Sequence, residues 1–248
     1  MIFAIWYRHY RVYRNNFWTN SFPTVIEPLI FLLAVGWGLA SAVGTMGGLD
    51  YLTFLAPAQA MMAAVYTSAF EESYGTYFRM QMDHNYDSMI ATPVGVTEVF
   101  WGELLYTGTK GAFFSGIVIG VLTFFGVIHS PWALLVPGVG FFTAVAFGSL
   151  GLFAARLVNN LNQFNFFITG VISPLILFSG TLFAVDKLPP LVAVVAKFLP
   201  LYYFVHVSRM LTTGVFQDDL WIAIPYMLIV PFLLGAWAVK SMKAKLIQ

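Results

Sequence analysis

Cysteine is absent from the 248-residue chain, which rules out disulfides, thiolate metal sites and a cysteine nucleophile. Charge is scarce as well. Asp, Glu, Lys and Arg supply 9% of the residues, against roughly 25% in a soluble domain, too few to cover a water-facing surface. The net charge of +1 leaves no basic footprint for nucleic acid. No Gly-Lys dipeptide occurs, so the chain has no P-loop with which to cradle nucleotide phosphates. His9, His84, His129 and His206 show no His-Glu-x-x-His spacing, and a metal site needs several converging ligands; none is expected. Ser115 and Ser149 have glycine neighbours but complete no Gly-x-Ser-x-Gly elbow. Asp218 and Asp219 read as acids near the positive N-terminus of a helix. No catalytic constellation remains, and catalysis by this chain is not expected.

What the sequence has in abundance is apolar residues, 59% of the total with a mean hydropathy of +0.80. A helix rises 1.5 Å per residue, so about 20 apolar residues cross a bilayer core. Five stretches lack Asp, Glu, Lys and Arg altogether: Tyr51–Phe70, Gly111–Ile128, Pro131–Ala155, Phe164–Val185 and Leu220–Val239. The Gly111–Ile128 span is extended back to residue 104. A sixth, Phe22–Val43, carries only Glu27, and near a span's end one carboxylate costs less than the roughly 3 kcal/mol of a charge at the centre. Barrel strands would alternate apolar and polar residues; these runs do not. The expected fold is an all-α polytopic membrane protein, one transmembrane domain over 1–248 with spans at 22–43, 51–70, 104–128, 131–155, 164–185 and 220–239. Ala40-Ser41-Ala42 has the small residues of a cleavage site. About twenty residues precede the run, however, and it outlasts a signal's apolar region, so a retained helix is expected. Leu188–Phe204 is apolar too, but holds Lys197, Pro189, Pro190 and Pro200. Prolines break helices, and a re-entrant pair of short helices over 188–210 is expected instead.

Six crossings put both termini on one side, which then receives Arg8, Arg11, Arg14, Arg79, Arg156, Lys240, Lys243 and Lys245, against Lys187, Lys197 and Arg209 opposite. The positive-inside rule makes the first side cytoplasmic. In residues 1–20, Ile2, Ile5, Trp6, Tyr10, Tyr13 and Phe17 share a helical face opposite Arg8, Arg11 and Arg14, as in an interfacial helix, either an anchor or a moving part. Residues 71–97 form the longest polar stretch. A loop joining two helices needs only a few residues, so this one reads as a docking element or a solvated hairpin. Thr92-Pro93 marks a helix start, with Thr97 and Glu98 as a second cap. Glu27 and Lys110 are the ionisable groups expected nearest the hydrocarbon, Lys110 by snorkelling. Asn159, Asn160, Asn162, Gln163 and Asn165 sit at the entrance to span five, to cap it or to greet a substrate headgroup. Met61, Met62 and the phenylalanines suit a lipid-facing surface or plain core packing. Gly116–Gly120 and Gly148–Gly151 allow close helix approach, within the chain or across a dimer seam.

Tyr86–Leu105, YDSMIATPVGVTEVFWGELL, resembles the cytoplasmic segment of ABC type-2 exporter permeases. Phe178–Pro190, FSGTLFAVDKLPP, with Phe198-Leu199-Pro200-Leu201 and the stretch from Arg209 to Gly214, resembles that family's extracellular signature, apart from Ala184 where many relatives have proline. Glu27-Pro28-Leu29-Ile30 and the Gly36–Gly38 region are similar to the branch of nodulation-factor, or lipo-oligosaccharide, exporter permeases. The match is colinear over nearly the whole chain. The resemblance implies a homodimeric transmembrane subunit in a bacterial or archaeal plasma membrane, working with two copies of a separate ABC ATPase. ATP and Mg would sit on that partner, with no cofactor bound here. By the same resemblance the ATPase is met by Arg8, Arg11, Met82, Asp83, His84, Asn85, Tyr86, Asp87 and Ser88. The exit gate falls to Pro189, Pro190, Leu199, Pro200, Tyr202 and Arg209, and spans one, two and five line the path. Substrate-path candidates are Glu27, Asn159, Asn162, Gln163, Ser179 and Thr181. The cargo expected is a lipid-linked saccharide, a lipid or an amphipathic small molecule. Two other readings stay open. An ion-coupled secondary transporter would need interrupted helices and buried charge at mid-span, and a membrane-embedded lipid-modifying enzyme would act through Asp218 or His206.

Overall fold

The computed structural model describes residues 1–38, 40–83, 85–90 and 92–246, except for the side chains at positions 23–25, 27–29, 32, 36, 37, 40, 41, 87 and 90. His84 and the side chains of Glu27 and Asp87 therefore lie outside the described residues. Almost every element is a helix. The chain runs through α1 (Ile2–Asn15) and α2 (Phe17–Gly38), then a hairpin of two-residue strands, β1 (Thr45–Met46) and β2 (Leu49–Asp50). It continues through α3 (Tyr51–Phe70), α4 (Asn85–Ile90), α5 (Val96–Phe124) and α6 (Val136–Leu157, entered by the 3₁₀ turn Pro131–Leu135). Last come α7 (Gln163–Phe178), α8 (Pro190–Phe198), α9 (Pro200–Thr213) and α10 (Leu220–Leu246).

Among the described residues, three helices are long and apolar enough to cross a bilayer: Val96–Phe124, Pro131–Leu157 and Leu220–Leu246. On α10, Trp221, Ile222, Leu228, Ile229, Phe232 and Leu233 face outward, an apolar surface that water would penalise and lipid would not. Helices α2 and α3, at 22 and 20 residues, have the length of a crossing. The proline-bearing segment forms two helices bent by 85°. Pro190 and Pro200 each stand at the first position of one, where a missing N–H costs nothing.

Boundaries move where local chemistry overrides the apolar run. Helix α5 starts at Val96, not at Thr92-Pro93, because the Gly95 N–H is met by the Glu98 carboxylate at 3.2 Å. It stops at Phe124, short of Ile128, and Gly126 reverses the chain at φ 70°. Helix α7 stops at Phe178, short of Val185, and Gly180 turns the chain at φ 74°. The largest departure is after Phe70. The backbone stays helical through two π-turns, Glu71–Gly75 and Phe78–Met82, so half of the presumed loop continues α3.

Helix α3 packs between α5, α6 and α9, with Leu55, Met61, Phe114, Phe147 and Phe204 fully buried. Close crossings depend on glycine: a Cβ at Gly111 would overlap Ala144, and one at Gly140 would overlap Ser115. Gly148 and Gly151 of α6 lie against Glu72, so these two serve packing within the chain. Gly120 meets nothing within 4 Å.

Contacts sort the helix termini into two ends. One end gathers α1, the extension of α3, α4, the start of α5 and the ends of α6 and α10, where Arg156 donates to Ser241 and Lys245 donates to the Arg156 carbonyl at 2.7 Å. The opposite end gathers the hairpin, the start of α3, the end of α7, α8, α9 and the approach to α10.

Candidate functional site

At the first end, four segments bring ionisable side chains together in the interior. The π-turns of α3 carry Glu71, Glu72 and Arg79, α4 carries Tyr86, α5 carries Glu103, Thr107 and Lys110, and α1 carries His9. Glu72 is 0% exposed and Glu103 1%. A charge so placed must be paired. Arg79 does most of it: Nε lies 3.1 Å from Glu103 Oε1, Nη1 3.1 Å from Glu71 Oε1, and Nη2 4.0 Å from Glu72 Oε2. The Tyr86 hydroxyl sits 2.9 and 2.8 Å from the two Glu103 oxygens. Lys110 Nζ meets Glu71 Oε2 at 2.8 Å and lies 5.0 Å above the Tyr13 ring. Thr107 donates to Glu72 Oε1, and Thr76 donates to Glu72 Oε2 at 3.2 Å. His9 Nε2 is 3.3 Å from Glu103 Oε1, near enough to feel its charge but off the line of a hydrogen bond.

Three carboxylates thus share two full cations, Arg79 and Lys110, with His9 beside them. The electrostatics follow from that shortage. Burial pushes Glu71 up, but Lys110 and Arg79 more than reverse it and hold its carboxyl near 2. Burial and the neighbouring Glu103 charge push Glu72 up to about 8. Near neutral pH the cluster closes its charge by keeping a proton on Glu72. Burial opposes the Arg79 charge, but Glu103, Tyr86 and Glu71 raise its affinity for the proton well above the ordinary value. Burial and the Glu103 charge likewise keep the Tyr86 hydroxyl protonated, well above its usual range. It therefore stays a donor.

The cluster reaches the two segments expected to meet the ATPase. Helix α1 lies along α5: Ile5 and His9 are buried, Trp6 Nε1 donates to Thr109 Oγ1 at 3.0 Å, and His9 stacks on Tyr106. A Cβ on Gly102 would come within 2.7 Å of Ile5 Cβ, so the glycine admits the helix. The apolar face of α1 rests on protein, while Arg11 and Arg14 are exposed and Arg8 half-buried. In the other segment Met82, Asp83 and Ser88 are exposed and Asn85 half-buried. Tyr86, 2% exposed, turns inward onto Glu103 and anchors the segment. Lys110 does not snorkel; Glu71 draws it in.

At the entrance to α7, Gln163 Oε1 accepts from Asn159 N–H at 2.9 Å and Asn160 Oδ1 from Gln163 N–H at 3.2 Å. The amide cluster caps this turn, with Asn162 exposed. At the opposite end Ser179, Tyr202 and Arg209 line one cavity of about 450 Å³. Thr181 is buried, donating to the Ile176 carbonyl at 2.7 Å. Pro189 is exposed ahead of α8, and Leu199 marks the bend. His206 binds Asp219 at 2.9 Å, whereas Asp218 is exposed. Among the described residues no group of three or more His, Asp or Glu side chains gathers as metal ligands.

The profile of the ABC-2 type transporter family matches residues 1–212. The chain belongs to that family. Nodulation protein J of Rhizobium leguminosarum bv. trifolii is 31% identical over 85% of this chain and 80% of its own length. Its counterpart in Rhizobium meliloti (strain 1021) is 30% identical over the same shares. The inner membrane transport permease YadH of Escherichia coli (strain K12) is 23% identical over 82% of this chain and 78% of its own. Membership makes this ABC-2 chain a multi-pass membrane subunit of a transporter rather than a catalytic chain, and an ABC ATPase is the general partner of the family.

The buried cluster went unforeseen, with Glu103 as its centre. A span drawn from residue 104 leaves Glu103 outside by one position. An acid flanked by the apolar Trp101, Leu104 and Leu105 was the available signal.

Proposed function

We propose that this chain is the permease of an ATP-driven exporter, working as a homodimer with two copies of a separate ABC ATPase. It crosses the membrane six times with both termini in the cytoplasm, the additional spans being α2, α3 and α7. The bent pair α8–α9 re-enters from the outside. The rim of exposed Met82, Asp83 and Ser88 and half-buried Asn85, with Arg8 and Arg11 of α1, receives the ATPase, which carries the ATP and Mg. His84, with Asp87, completes that rim on the sequence argument.

The observation that carries this reading is the buried ion cluster. It ties α1 and the 82–88 segment to α5 through His9, Tyr86 and Glu103, so a push on either rim element reaches a long apolar helix. A merely solvated hairpin would have no use for four charges drawn largely out of water at its root, since burying a charge costs several kcal/mol before pairing. Pathway roles go to Asn159, Asn162 and Gln163 at the inner mouth, to Glu27, and to Ser179 and Thr181 towards the exit. The exit gate comprises Pro189, Pro190, Leu199, Pro200, Tyr202 and Arg209. The cargo is a lipid-linked saccharide, a lipid or an amphipathic small molecule, exported from the inner leaflet or cytoplasm of a bacterial or archaeal inner membrane.

The test is co-purification with a candidate ABC ATPase from the same organism, followed by ATP turnover in lipid. Association, and turnover that changes when this subunit is present, support the proposal. Two proteins that never associate, with turnover indifferent to this chain, contradict it.

A further inference from the structure

The cavity of about 450 Å³ at the opposite end has a guanidinium in its wall that the chain leaves incompletely used. Arg209 is charged at every physiological pH and offers five N–H donors. Nε donates to the Phe54 carbonyl at 3.1 Å and Nη2 to the Gly180 carbonyl at 3.0 Å, which leaves three donors. The guanidinium also lies over the Phe54 ring, 3.8 Å from its centroid. Two carbonyls and an aromatic face fix its plane without neutralising it. Among the described residues no carboxylate comes within 4.0 Å of Arg209, whereas Arg79 at the other end is closed by glutamates. Asp219, on the same cavity, is taken by His206 at 2.9 Å. On the rim, exposed Lys197 adds a second cation and exposed Asp186 offsets it.

We propose that this cavity binds a single oxyanion, a phosphate or carboxylate group, on Arg209 with Lys197 at the rim. A planar guanidinium held on two edges presents its remaining N–H groups in the arrangement that two oxyanion oxygens satisfy together. Ser179, Tyr202 and Thr213 supply polar wall around it. The same chemistry suits a free anion and the headgroup of an anionic lipid. That the bound group belongs to exported cargo rests on the exporter reading; the binding itself does not.

The experiment uses the full chain alone, without an ATPase, in phosphatidylcholine nanodiscs. Calorimetric titration with inorganic phosphate is one arm. The other is native mass spectrometry of retained lipid from nanodiscs mixed with phosphatidic acid. Saturable phosphate binding identifies a free-anion site, and selective retention of phosphatidic acid identifies a headgroup site; either supports the proposal. Arg209→Gln should weaken binding at least tenfold and Lys197→Gln about threefold. Because Arg209 also ties Phe54 to Gly180, Arg209→Gln carries a folding risk, and exposed Lys197 gives the independent variant. Neither probe binding overturns the proposal. So does binding that Lys197→Gln leaves unaltered while Arg209→Gln also leaves it unaltered or fails to fold. Loss of this site would leave ATPase association standing, and loss of ATPase association would leave phosphate binding to the isolated chain standing.

Discussion

Replacing Arg79 with Met keeps an unbranched apolar stem and removes the cation that three glutamates share. At 3.1 Å from Glu103 and from Glu71, each contact is worth about 5 kcal/mol of gross attraction at an effective dielectric near 20. Desolvation of the guanidinium cancels much of that, so the whole sum is not recovered. What remains is the penalty of leaving a buried carboxylate unpaired, about 3–5 kcal/mol, and Glu103 is almost fully enclosed. For a chain of this size about 1 kcal/mol shifts Tm by roughly 2–4 °C, so Arg79→Met should lower Tm by about 6–20 °C. Thermal unfolding in detergent, followed by the fluorescence of the 7 tryptophans, reads this directly. Adding Glu103→Gln should return part of the loss, with a coupling energy of about 1–3 kcal/mol in the double-mutant cycle. A shift below about 2 °C, or strictly additive variants, would refute the claim that Arg79 holds the cluster together.

Tyr86→Phe removes the donor on Glu103 at a cost of about 1–3 kcal/mol, so hydrogen exchange across residues 85–90 should quicken by about five- to hundredfold; unchanged protection would mean that Tyr86 is no anchor. Glu72 has a raised folded-state value of about 8 against an ordinary 4.5, so its contribution is full below pH 4.5 and is lost as pH rises through 8. Glu72→Gln should therefore gain Tm on the wild type between pH 5 and pH 8, and a gap that stays flat would contradict the held proton. Glu71, depressed to about 2, contributes in the other direction: its stabilisation is present above pH 4.5 and fades as pH falls towards 2, a loss that Glu71→Gln should not show. Gly111→Ala, which runs into Ala144, should cost about 1–3 kcal/mol. Gly120→Ala, with open space around it, should be neutral or gain up to about 1 kcal/mol in Tm measurements; equal effects would refute the close crossing.

Apolar run length was enough to place the helices at Tyr51, Pro131, Phe164 and Leu220, because a bilayer-sized stretch without charge has few other uses. Proline spacing likewise placed the α8–α9 pair, since Pro190 and Pro200 each open a helix. Termini were less legible. Gly95, Gly126 and Gly180 set them through backbone geometry, and an apolar average cannot register one residue's φ. The helical half of the polar stretch after Phe70 is hidden for a related reason. Glu71, Glu72 and Arg79 look solvated in sequence, yet they face partners on α5 that lie more than twenty positions away. Pairing across elements is invisible to a local window. Tyr86 shows the same limit: its neighbours suggest an exposed docking patch, while Glu103 pulls its hydroxyl inside.

The most direct test of the whole account exploits the missing cysteine. Met82→Cys, 59% exposed in the parent chain, and Leu191→Cys at the opposite end each introduce a unique thiol. Both are co-expressed with the ABC ATPase that co-purifies with the chain and treated with a short thiol–amine cross-linker in membranes. Cross-linking of the ATPase through position 82 and not through 191 is the outcome predicted. Cross-linking through 191, or through neither, would contradict it.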